Sequence, residues 1–208
     1  MASPAFEHFR FSFFEDADLP RNGLDTAALA ELQGDERAQA EEMLIAYLPD
    51  TRGVIGLGEL RSRRAERRLA ELFEAERAQD SSTIVYLAKA LWQIRPDPRW
   101  LAAVAEVLAS SDLDMRRLNA AHALCVFRHA EAVRPLMKAL DDPANLVRYH
   151  AAHALLAIHG VLDENSLEED SEHMMYRVMA QDPARRMGGK RDILTAIAGR
   201  PIFRAVSG

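Results

Sequence analysis

The apolar positions of this chain follow a helical rhythm, and the rhythm itself recurs. Residues 115–124 read MRRLNAAHAL and residues 146–155 read LVRYHAAHAL, so AAHAL returns after 31 residues with an arginine at the same offset before it. Leu57, Leu91, Leu124 and Leu155 occupy equivalent runs at spacings of 34, 33 and 31. A second register agrees: AERRLAELF (65–73) matches AVRPLMKAL (132–140) at its apolar positions, offset by 67. Two helices repeating with one period predict stacked helical hairpins.

In each unit a turn such as Asp142-Pro143-Ala144-Asn145 is expected to open the first helix, with Asp142 as N-cap and Pro143 at the first helical position. That helix runs to about His159 and turns Leu146, Tyr149, Ala152, Leu155, Leu156 and His159 inward. Breaks at Arg128-His129 and at residues 95–98 lead into second helices, whose apolar stripe is Ala132, Val133, Leu136, Met137 and Leu140. One hairpin cannot bury its own apolar face, so neighbours must cover it, and alanine and glycine let them come close.

The pattern Asp142, Pro143, Val147, Arg148, Ala151, Ala152, Ala154, Leu155 resembles HEAT-like repeats, particularly the short type also found in phycobilin lyase subunits. Asp114, Arg116, Ala120, Ala121, Ala123 and Leu124 repeat it more weakly, and the likeness covers about residues 36–160. It implies an all-α, right-handed α-solenoid of about four hairpins. The expected layout is an acidic, Phe-rich N-terminal cap (1–34), the array (35–160) and a helical C-terminal cap (161–208). The family spans scaffolds, inhibitors, chaperone-like lyases and a few enzymes, so the resemblance specifies fold rather than activity.

The caps are less regular. Phe9, Phe11 and Phe13 alternate, which predicts a short extended segment; a short helix is expected over residues 24–32. VLDENSLEEDSEH (161–173) reads as a polar loop, HMMYRVMA as helix, and Asp182-Pro183 opens a last helix that Gly188-Gly189 should weaken or cut short.

Charge changes the functional picture. Residues 1–50 hold eleven acidic and three basic side chains, whereas residues 51–160 hold thirteen and sixteen. A nearly neutral body lacks the basic stripe of a nucleic-acid binder. The single Cys125 excludes an intramolecular disulfide framework and points to a reducing compartment. No basic-then-apolar leader opens the sequence, and no window approaches the ~18 apolar residues of a membrane span. The expectation is a cytoplasmic protein of undefined oligomeric state.

Candidate chemistry is sparse. His122 and His153 are repeat-equivalent, but no His-Glu dyad and no HExxH accompany them, so they are expected to pack between repeats, bonded to loop backbone, and no metal is expected. Gly53, Gly56 and Gly58 lack the third glycine and the strand of a dinucleotide loop, since position 61 is arginine; close helix packing explains them. Met187-Gly188-Gly189-Lys190-Arg191 fails as a phosphate loop because Ala184 and Arg191 stand where glycine and Ser/Thr are needed. Cys125, inside an apolar run, is expected to be a buried, inert thiol. No catalytic residue or cofactor is assigned.

What remains is a mixed-charge strip. Arg64, Arg67 and Arg68 share a helix face with Glu71, and Arg67 and Glu71 align with Arg134 and Lys138 in the repeat register. These six are the candidate partner-binding residues. The expected function is non-catalytic protein binding, most specifically a bacterial immunity or inhibitor protein that occludes a toxin or enzyme. The alternatives are a lyase-subunit-like assembly module and a HEAT-like alkylpurine DNA glycosylase using Trp100, Asp97 and Arg99.

Overall fold

A computed structural model describes residues 2–15, 24–78, 83–162 and 169–202, and among these every regular element is helical. The fold is all-α, with neighbouring helices packed in pairs as in an α-solenoid. Two compact units divide within one helix, at Trp100/Leu101.

The first unit contains α1 (Pro4–Arg10), a π turn (Phe11–Glu15), α2 (Thr26–Glu31), α3 (Gly34–Ala46), α4 (Thr51–Glu59), α5 (Glu66–Ala78), α6 (Ile84–Ile94) and the start of α7 (Pro98–Ser110). The second contains the rest of α7, then α8 (Asp114–Phe127), α9 (Ala130–Ala139), α10 (Asn145–Ile158), α11 (Glu169–Met179) and α12 (Pro183–Ile197). First helices of successive hairpins lie side by side, α4 on α6 and α8 on α10. The four register leucines are all buried, as are the repeat-equivalent pairs Leu69/Leu136 and Phe73/Leu140. Each such side chain contributes about 1.5–3 kcal/mol relative to an exposed one.

The glycines of α4 permit close approach. A Cβ on Gly56 would stand 2.7 Å from a Leu44 methyl, and one on Gly58 would stand 2.8 Å from the Ala90 backbone of α6. The Phe-rich head is helical, not extended. Phe6, Phe9 and Phe13 are buried at i, i+3 and i+7 while Phe11 points to solvent, so a helical face overlay the apparent alternation. Ser3 opens α1, accepting from the Phe6 N–H, and binds Glu36 through N–H and Oγ at 2.6 Å each. Those two bonds hold the Glu36 carboxyl below its usual range. The Phe13 ring meets Tyr47 edge-on at 4.8 Å and lies under the Arg52 guanidinium, which ties the head to its own unit.

Three other details depart from expectation. Helix α10 begins at Asn145, with Ala144 as N-cap; the Asp142 carboxylate instead accepts the Ala144 N–H at 2.8 Å and pairs with Arg117. Leu146 is exposed, because it sits in the first turn, before the face that α8 covers. Helix α12 runs unbroken through Gly188 and Gly189, both buried; a Cβ on Gly189 would stand 2.7 Å from the Val178 nitrogen of α11. Of the expected loop at 161–173, residues 163–168 lie outside the described residues, and 169–173 already belong to α11.

Candidate protein-interaction site

Three of the six strip residues, Arg67, Arg68 and Glu71, lie on α5 and two on α9, one helix in each unit, while Arg64 lies in the turn before α5 and not on its face as the sequence suggested. On α5 the cations are largely committed within the chain. Arg64 reaches back to Glu41 at 3.1 Å and to Glu42 at 3.6 Å, bracing the turn before α5 against α3. Arg67 and Arg68 share Glu71 at 3.5 and 3.6 Å, and all three are well exposed. Such pairs contribute a few tenths of a kcal/mol, about 0.2–1 at most. They form a solvated face with alternating charge.

On α9 the situation differs. Arg134 and Lys138 are exposed one turn apart, and among the described residues neither belongs to an ion pair. Lys138 borders a groove of about 260 Å³ between α9 and the end of α7, floored by Leu108, Ala109, Pro135 and Ala139. The acids beside it are already neutralised. Asp142 accepts from Arg117 at 2.7 and 3.0 Å, and Asp141 is bonded to Lys190 of α12. A cleft of mixed lining, apolar on its floor and with an unspent cation on its rim, suits an apolar side chain next to a carboxylate on another molecule.

The framework around this groove is fixed by Arg148. Its buried guanidinium donates to the carbonyls of Asp142, Pro143, Val178 and Met179 at 2.7–3.0 Å, joining α10 to the turn after α9 and to the end of α11. Burial lowers its pKa, with Arg186 adding to the effect.

The His122 and His150 rings meet perpendicular at 5.8 Å between the neighbouring repeat helices α8 and α10, but His122 is exposed and His150 and His153 are half-buried. Burial, then the proximity of His122 and His153, holds His150 below the ordinary histidine range. No group of three or more His, Cys, Asp or Glu among the described residues is arranged to hold a metal ion. Cys125 is half-buried instead of buried. Trp100 is buried, edge-on to Phe73 at 4.9 Å, with Arg99 stacked over it at 4.0 Å. No described helix is long and apolar enough to cross a membrane.

Sequence reasoning overlooked the outer side of α12, treating residues 187–191 as a failed phosphate loop. The overlooked signal was Met187, Lys190, Arg191, Leu194 and Ala198 at helical spacing. These residues border a second groove.

Comparison with known proteins adds the family. No curated protein matches the sequence. Residues 101–169, from within α7 to the start of α11, match the family of HEAT repeats. HEAT repeats generally serve as protein-interaction scaffolds, because stacked hairpins present an extended surface. The paired helices and recurring buried leucines of the described residues are consistent with a HEAT-like repeat protein, the family match itself covering residues 101–169.

Proposed function

We propose that the chain is a non-catalytic protein-binding scaffold, and that its task is that of a bacterial immunity or inhibitor protein occluding a toxin or enzyme. The observation carrying the binding reading is the uncommitted Arg134–Lys138 pair on α9 beside the apolar groove. A folded chain gains nothing internally from two exposed cations with no partner, whereas an acidic partner gains attraction and register from them. The acidic head suggests that a basic surface is met elsewhere, as expected of an inhibitor covering a large, mixed surface. The glycosylase reading finds no support in Trp100, which is buried, with Arg99 over its ring and Phe73 edge-on to it. The test is charge reversal with Arg134→Glu and Lys138→Glu, beside Arg67→Glu and Arg68→Glu. Loss of partner binding at unchanged helicity and melting supports the reading, and unchanged binding in both variants removes it.

A further inference from the structure

The outer side of α12 is unlike the rest of its region. Residues 161–208 carry eight acids against seven bases, yet residues 183–198 hold four cations and only one acid. That acid, Asp192, is bonded to Arg177 of α11 and is spent. Helix α12 buries Gly188, Gly189, Ile193 and Ile197. On the opposite side Met187 is 70% exposed, Leu194 is half-exposed and Ala198 is exposed, forming an apolar line at i, i+7 and i+11. Arg191 lies on this line and, among the described residues, has no ion-pair partner. Lys190 flanks it and is bonded to Asp141.

Asp141 connects this side to the groove on α9. It lies in the turn that closes α9, where its N–H donates to the Lys138 carbonyl at 3.1 Å. The Lys190–Asp141 bridge therefore links the α12 groove to the one floored by Leu108, Pro135 and Ala139. The combined surface is mainly apolar on the α12 side and mixed on the α9 side, where Lys138, Asp141 and Asp142 join the apolar floor. Its free charges, Arg134, Lys138 and Arg191, are all positive.

Resting on the protein-binding reading, we infer that this surface of the second unit is a docking site for an acidic amphipathic helix of the partner. The helix lays an apolar stripe along Met187, Leu194 and the α9 groove and presents carboxylates to Arg191, Lys138 and Arg134. The face from 187 to 198 runs about 16 Å, three turns, which matches a helix of ordinary length. Helix-in-groove recognition lays the apolar face of an amphipathic helix, with its own anchors at i, i+3 or i+4, and i+7, onto such a surface. An anionic membrane is the less suitable occupant. The apolar groove at the end of α9 is a recess that a side chain fills and a lipid surface cannot, and one exposed methionine with one half-exposed leucine inserts little area.

The test uses a fluorescein-labelled synthetic helix of about 18 residues with leucine along one face and glutamate beside it, followed by fluorescence anisotropy. Wild-type protein should bind it saturably, more weakly at high salt, and should not bind the same peptide with lysine replacing glutamate. Met187→Glu with Arg191→Glu, and separately the milder Arg191→Gln, should weaken binding, the double variant by at least about tenfold, at unchanged circular dichroism. Full-strength binding by the double variant, alongside loss in Arg134→Glu/Lys138→Glu, overturns the α12 site and leaves the protein-binding reading standing. No binding by wild type up to about 1 mM overturns the acidic-helix occupant. Binding to phosphatidylserine-containing vesicles without peptide binding overturns it in favour of a membrane.

Discussion

Arg117 and Asp142 clasp the start of α8 to the turn that opens α10. Arg117 Nε and Nη2 donate to the two carboxylate oxygens at 2.7 and 3.0 Å, with the side chains only 12% and 8% exposed. A third Arg117 donor reaches the Ser111 carbonyl at 2.7 Å. The carboxylate also holds the Ala144 N–H, so one side chain neutralises an arginine and shapes the entry to α10. Removing one partner of a shielded pair leaves the other stranded. Asp142→Ala should therefore cost about 2–4 kcal/mol in urea unfolding, with an unchanged m-value. A cost below about 0.5 kcal/mol would show the clasp to be incidental.

Arg148 makes a sharper case, because its partners are carbonyls and no carboxylate neutralises it. Arg148→Met keeps the aliphatic stem but orphans carbonyl acceptors in two segments, the turn after α9 and the end of α11, and about 2–4 kcal/mol of stability should be lost. Arg148→Lys should recover less than half of it, since an ammonium cannot span the same fork of acceptors. Thermal melting of both variants checks the order.

How much of this was legible beforehand depends on whether the cause is local. Leu57, Leu91, Leu124 and Leu155 were readable as core because periodicity is written along the chain. The head was misread because Phe9, Phe11 and Phe13 alternate while Phe6, Phe9 and Phe13 are helically spaced; the Ser3-Pro4 start was the cue that favours helix. Asp142 looked like an N-cap, and its diversion to Arg117 required knowing a contact 25 residues away. Likewise the strip residue Arg64 looked free, although its partners Glu41 and Glu42 belong to an earlier helix. Surface chemistry depends on such distant pairings, which is why the candidate site was less legible than the repeat.

Gly189 separates propensity from packing. Alanine would raise the helix propensity of α12 by roughly 1 kcal/mol. Its Cβ would nevertheless stand 2.7 Å from backbone of α11, so a net loss of about 1–3 kcal/mol is expected for Gly189→Ala. Gly188→Ala meets the end of the flexible Arg177 side chain and should cost less. The two melting temperatures, compared side by side, decide it.

His150 gives a pH dependence with a definite sign. Its folded pKa is depressed by burial and by His122 and His153, so the unfolded chain binds the proton more readily. Stability from this group is full above the unfolded value of about 6.5 and falls as pH drops through the lower folded value. Wild-type protein should melt lower at about pH 5.5 than at about pH 7.5, and His150→Gln should flatten part of that slope. An identical slope in the variant would place the titration elsewhere.

The most direct measurement is affinity purification of the tagged chain from its native cells, with mass spectrometry of what accompanies it, for wild type and for Arg134→Glu/Lys138→Glu. A protein-binding scaffold that uses the α9 cations should bring down one stoichiometric protein partner, and the equally stable variant should bring down none. A wild-type protein that emerges alone, or a variant that retains the same partner, would contradict it.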